Sequence, residues 1–201
     1  TGGKQMDGFC DLVRSVIKHN GMTDASIYTK SDRVLPGYFR PTKDWDLVVV
    51  HKKCLVASVE FKSQAGPSFG NNFNNRAEEA LGTSLDIWTA YREGAFGETA
   101  PRPWIGWFML LEDATKSRAS VGVSQPHFSV LPEFSKTSYA QRYELLLRKL
   151  VMHGHYSSAA LLLSRQEDSK TGEFTEPAVD LNVQRFLAGL GGAIQTLLAS
   201  L

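Results

Sequence analysis

The chain has 201 residues, 42% of them hydrophobic, and a formal net charge of only +1. That length and apolar content suffice to bury a full core as one domain spanning 1–201. The near-neutral charge argues against a nonspecific nucleic-acid coat, and no run of 18 apolar residues is available to cross a membrane.

The opening Thr1-Gly2-Gly3 lacks an initiator Met and shows no charged–apolar–small-residue leader, so an N-terminal segment is expected to precede it. From 4 to 19, Met6, Phe9, Cys10, Val13, Val16 and Ile17 recur at helical spacing opposite Asp7, Asp11, Arg14 and Lys18. This predicts an amphipathic helix ended by Asn20-Gly21. Residues 25 to 40, broken by Pro36-Gly37, read as irregular backbone or short edge strands. A hairpin follows, with Asp46 to Val50 and Leu55 to Lys62 as strands and His51-Lys52-Lys53 as its turn. Gly66 to Asn75 reads as a polar loop with Phe69 and Phe73 embedded, and a helix is expected from Arg76 to Arg92. Trp104 to Leu111 is a strand buried on both faces, and Tyr139 to Met152 a helix capped near Thr137 or Ser138. Ala159 to Leu163 is a further strand. A charged loop from Glu167 to Glu176 leads to Asp180, the expected cap of a C-terminal helix reaching about Leu198. The order predicts an α/β protein, a mixed central sheet with helices on both faces.

The hairpin, about 44–62, carries the chemistry. In an antiparallel pair the start of the first strand lies beside the end of the second. A loop of odd length, such as Lys52 to Cys54, would set Asp46 opposite Glu60. Lys62, two residues further on, shares the face of Glu60. Two carboxylates and an ammonium at a strand end form a place for a hard divalent cation, Mg²⁺ by its ligand preference, and a water. Asp46 and Glu60 are the expected metal ligands, with the Phe61 carbonyl as a third. Lys62 orients or activates the water. Asp44 rivals Asp46 because both fall on one strand face; Asp46 is preferred because the apolar run starts immediately after it. Such an Asp…Glu-x-Lys arrangement belongs to metal-dependent phosphodiesterases that cut nucleic acid.

From Lys30 to Lys62 seven Lys and Arg stand against four acids, which makes Arg40 and Lys43 candidate DNA contacts. Gln64 continues the face of Glu60 and Lys62. Asn71, Asn72, Asn74, Asn75 and Arg76 carry side chains suited to adenine and guanine edges. Cys10 and Cys54 read as reduced, spare thiols, and His153-x-His155 as a helix end rather than a metal pair.

The segments Leu35 to Asp46 and Val59 to Arg76 resemble the XhoI family of type II restriction endonucleases, of the PD-(D/E)xK nuclease superfamily. The likeness continues through Trp88 to Phe96, Pro101 to Trp104, Pro132 to Phe134 and Ser138 to Glu144. The resemblance implies a cytoplasmic bacterial enzyme, a Mg²⁺-dependent homodimer cutting double-stranded DNA within the palindrome CTCGAG to leave 5′ overhangs. It also implies a cognate DNA methyltransferase. The alternatives are a repair or recombination nuclease with the same core, or a non-catalytic DNA-binding module.

Overall fold

In the computed structural model, which describes residues 6–23 and 26–200, the apolar runs form strands and the amphipathic runs form helices. The elements are α1 (Asp7–His19), β1 (Ile27–Tyr28), β2 (Val34–Pro36), β3 (Thr42–Asp44), β4 (Leu47–His51) and β5 (Cys54–Gln64). They continue with α2 (Phe69–Arg92), β6 (Trp104–Glu112), α3 (Thr115–Arg118), α4 (Tyr139–Met152), β7 (Ser158–Ser164) and α5 (Val183–Ser200). The expected helix start at Lys4 and the Thr1-Gly2-Gly3 opening lie outside the described residues. Among the described residues, no helix is long and apolar enough to cross a membrane.

The central sheet has five strands in the order β1-β4-β5-β6-β7. The β1–β4 and β4–β5 pairs are antiparallel, whereas β5, β6 and β7 are mutually parallel. A parallel neighbour needs a crossover, and α2 and α4 supply the two that are required. Their apolar sides pack on one face of the sheet, where Ile87, Trp88, Tyr143 and Leu147 meet Trp107 and Leu161. On the other face Val13 and Ile17 of α1 and Phe186, Leu190 and Ile194 of α5 cover Val59, Phe61 and Phe108. This is the mixed α/β sheet with helices on both faces that the element order predicts. β2 and β3 form a separate two-stranded ribbon, held to the core by Leu35 and Trp45.

Three local expectations are corrected. The hairpin turn has two residues, Lys52 and Lys53, with φ of 47° and 65°, and His51 pairs with Cys54. Positive φ at both central residues is what a tight hairpin turn matched to strand twist requires. A bulge between the Val50–Leu55 and Val49–Ala57 pairs then inserts Val56 and shifts the register by one residue. The bulge therefore sets Leu47 opposite Val59, the last pair of the ladder, and brings Asp46 beside the Glu60–Phe61 end of β5, where an odd-length loop was expected to do so.

Residues 69 to 75 are helical rather than a loop. Phe69 and Phe73, one turn apart, pack on Tyr139 and Tyr143 of α4 with ring centroids 6.0 and 5.1 Å apart. That burial outweighs the weak helix propensity of the asparagines between them. Asp180 does not cap α5; it pairs with Arg148, while Asn182 Oδ1 accepts the N–H of Arg185 at 2.8 Å. The α4 start is as expected, with Ser138 and Gln141 in a reciprocal capping box.

Gly106 lies where β6 passes beneath α5, and a Cβ there would sit 2.5 Å from the Trp104 ring and 2.7 Å from that of Phe186. Gly106→Ala is expected to destabilise the protein by roughly 1–3 kcal/mol, as overpacked cores do. A lowered urea midpoint with an unchanged slope would show it.

Candidate active site

The hairpin register decides what meets at its open end. β4 begins at Leu47, so beyond Val59 the β4 side of β5 has no paired strand. Asp46 fills the gap, its Oδ2 accepting the Phe61 N–H at 2.8 Å. In a strand the N–H and C=O of one residue point to the same side, so the Phe61 carbonyl also faces this gap. The gap opens into a cleft of 450 Å³ lined by Asp46, Phe61, Lys62, Arg33, Arg76 and Cys10 among others. Asp44 belongs to the other sheet, on β3, where its carboxylate holds Arg33 at 2.8 Å. A smaller cavity of 120 Å³ at the C-terminal ends of β5, β6 and β7 contains neither Asp46 nor Glu60.

Glu60 is 1% exposed, on the sheet face covered by α2. Its Oε2 is in contact with Lys62 Nζ, and its Oε1 lies 2.6 Å from Lys43 Nζ. The Lys43 contact is an ion pair without hydrogen-bond alignment, so Oε1 is a buried acceptor with no aligned donor. Lys62 also reaches Glu79 of α2 at 2.9 Å and Asp46 at 3.8 Å. Glu79 is in turn held by Arg76, one turn back on the same helix. Three cations and three carboxylates thus form one chain, from Lys43 through Glu60, Lys62 and Glu79 to Arg76, with Asp46 beside Lys62.

Burial pushes the Glu60 pKa above its ordinary value, against the opposing pull of Lys62 and Lys43. Burial by itself would lower the Lys62 pKa. The carboxylates of Glu60, Glu79 and Asp46 outweigh it, and the net direction is upward. For Glu79, burial is likewise outweighed, and Lys62 and Arg76 hold its pKa below the ordinary range. Lys62 is therefore an ammonium throughout the neutral range, a donor of hydrogen bonds rather than a proton acceptor.

Among the described residues, no group of three or more His, Cys, Asp or Glu side chains is placed to hold a metal ion. A small hard cation does not need one, because Mg²⁺ keeps several waters and takes one or two carboxylates. The donor set here fits that demand: the half-exposed Asp46, the unaligned Oε1 of Glu60 and the outward-facing Phe61 carbonyl are all hard oxygens.

The other predicted contacts are placed unequally. Gln64 is buried, donating to the Phe69 carbonyl at 3.1 Å and accepting from the Tyr143 hydroxyl, so it has no surface to offer a base. Arg40 is bound to Asp86 of α2 at 2.8 Å, Lys43 to Glu60, and Arg76 to Glu79. Asn71, Asn74 and Asn75 are exposed on the first two turns of α2, while Asn72 is half-buried. Glu79 and Asp86 were not singled out from the sequence. A carboxylate seven residues beyond another on one helix returns to the same face, and that spacing was the available signal.

Comparison with known proteins gives the chain's family. A family model for the restriction endonuclease XhoI matches 1–176. The type II restriction enzyme BstVI of Geobacillus stearothermophilus is 49% identical over 195 residues, 94% of this chain and 87% of that protein. XhoI of Xanthomonas vasicola is 52% identical over 155 residues, 76% of this chain and 62% of its own length. AbrI of Azospirillum brasilense is 60% identical over 126 residues, 62% of this chain and 56% of its own. The chain therefore spans less than two thirds of the latter two relatives. No solved structure matches the chain at a significant level.

Cys10 borders the cleft, yet its thiol is pushed up to about 11 by burial and then by Asp11, Asp46 and Asp7. It is protonated at neutral pH and cannot act as a nucleophile there. In a Cys54→Ser variant, alkylation of Cys10 should stay slow at neutral pH and rise with an apparent pKa of about 11. Rapid alkylation at neutral pH would contradict this.

Proposed function

The chain belongs to the XhoI restriction endonuclease family, a family of site-specific deoxyribonucleases, and from that premise we propose a reaction for the cleft. It hydrolyses double-stranded DNA within a palindromic site, CTCGAG by family resemblance, and leaves 5′-phosphate ends. The observation that carries this reading is the convergence of Asp46, Glu60 and Lys62 at the unpaired end of the β4–β5 hairpin, with Asp46 and Lys62 lining an open cleft and Glu60 buried against Lys62.

Asp46, Glu60 and the Phe61 carbonyl would hold the Mg²⁺ ion. When bound it supplies Lewis acidity at the scissile phosphate and makes water a better nucleophile at neutral pH. The protein's own part is positional and electrostatic. Lys62, fixed by its three carboxylates, aims an N–H at the attacking water and at the phosphate oxygen that gains charge. Its raised pKa supports that donor role over proton abstraction. Glu79, tied back by Arg76, sets the angle of Lys62.

The exposed Asn71, Asn74 and Asn75 lie on the helix that also carries Glu79, so side chains there stay in register with the cut phosphate. A helix start presenting amides is suited to base edges in a major groove. A palindrome has two equivalent scissile phosphates related by a two-fold axis, and a C₂ homodimer would supply two centres to match. A host carrying this enzyme would need a cognate methyltransferase to protect its own sites.

A digest of long duplex DNA with Mg²⁺ should give discrete bands that a chelator abolishes; nicking without site preference would overturn the reading. Asp46→Ala, Glu60→Ala and Lys62→Ala should each lower cleavage by about a thousandfold or more while site binding survives. Glu79→Gln should cost roughly tenfold, because Lys62 keeps its other two partners. Alanine at Asn71, Asn74 or Asn75 should cost about 1–3 kcal/mol of discrimination if the residue reads a base. Equal loss on specific and nonspecific duplexes would instead mark a phosphate contact.

A further inference from the structure

Two lysines hold the buried Glu60, and they are held very differently themselves. Lys62 is bound by three carboxylates, those of Glu60, Glu79 and Asp46. Lys43 arrives from the β2–β3 ribbon, and Glu60 is its one carboxylate partner among the described ion pairs. Its contact with Oε1 is short, at 2.6 Å, but lies off the direction of a hydrogen bond. The same Nζ donates to the Asp44 carbonyl at 3.1 Å and lies 4.9 Å from the centre of the Trp45 ring. The Asp44 carboxylate is occupied by Arg33 and does not compete for it.

We infer that Lys43 is a displaceable counter-ion: it neutralises Glu60 at Oε1 until a divalent cation takes that oxygen, then withdraws to the Asp44 carbonyl and the Trp45 indole. The inference rests on the reading of Asp46 and Glu60 as metal ligands. A cation approaching Oε1 must meet one of the two ammonium groups. Lys62 would have to abandon three anions, whereas Lys43 would give up one and keep two favourable contacts. Trp45 is 2% exposed and anchors the ribbon, so this resting place is fixed by the core. Lys43 then sets the threshold for metal binding: it is the counter-charge at Oε1, and every divalent ion must displace it.

The test measures metal affinity, with no turnover involved. Mn²⁺ is titrated into DNA-free protein at mildly alkaline pH, with free Mn²⁺ read by electron paramagnetic resonance. Lys43→Met keeps the unbranched stem on Trp45 and removes the charge. It should tighten Mn²⁺ binding roughly tenfold, since a unit charge within a few ångströms of the ion is gone. Lys43→Gln should act in the same direction if the Met variant folds poorly, and Lys43→Arg should return affinity to near the wild-type value. Glu60→Gln should abolish the binding. Unchanged or weaker binding in folded Lys43→Met and Lys43→Gln, with Glu60→Gln still abolishing it, overturns the inference and leaves the metal reading intact. Mn²⁺ binding that survives Glu60→Gln overturns the metal reading and the inference with it.

Discussion

A carboxylate with almost no access to water sits at the centre of this molecule, and the surrounding architecture answers its demands. An isolated buried carboxylate would take up a proton rather than stay ionised. For Glu60 that tendency is opposed by two ammonium groups from two different sheets, Lys62 two residues along β5 and Lys43 on the ribbon. Removing one partner of a buried pair typically costs about 3–5 kcal/mol, so the ribbon is bound to the sheet by charge as well as by Leu35 and Trp45. The ribbon tip is fixed separately. Asp86, buried within α2, accepts the N–H groups of Tyr38 and Phe39 and the Arg40 guanidinium, each at 2.8 Å. Burial would raise its pKa, but Arg40 and those two N–H groups bring it below the ordinary range. One helix thus secures the ribbon that delivers Lys43 and, two turns earlier, presents Glu79 to Lys62.

That helix joins packing to chemistry. Phe69 and Phe73 start it against α4, and Gly70 admits the Tyr139 hydroxyl, which a Cβ would meet at 2.5 Å. The same early turns leave Asn71, Asn74 and Asn75 facing outward. A contact made by those amides would be passed to Glu79 along rigid helix backbone, without an intervening loop. The coupling between recognition and the lysine would be mechanical, over about 10 Å of helix at 1.5 Å per residue.

Charge balance explains how a chain of net charge +1 can serve a polyanion. Three carboxylates match Lys43, Lys62 and Arg76 within the site, so the cluster carries no net charge by itself. In the proposed reading a divalent ion would change that sum by two, and attraction for the scissile group would then depend on metal loading rather than on a permanently basic surface.

The sequence was legible wherever a short-range pattern decides the structure. Apolar runs of strand length marked β4, β5 and β6, helical spacing marked α1 and α5, and Thr137 or Ser138 marked the start of α4, where the Ser138–Gln141 capping box forms. The convergence of Asp46 with Glu60 could also be read, though the route to it could not. A two-residue turn alone leaves the register one residue out, and the inserted Val56 corrects it, a feature with no composition of its own. The asparagine-rich start of α2 was misread because propensity is local, whereas the decision was made by Tyr139 and Tyr143, about seventy residues away. Lys43 illustrates a related limit. Counted along the chain it is one of seven Lys and Arg between Lys30 and Lys62. Only the fold shows that β3 turns it inward onto Glu60. A charged residue's role depends on which opposite charge the chain brings back to it, and that is set by topology, the one property that periodicity and spacing do not encode.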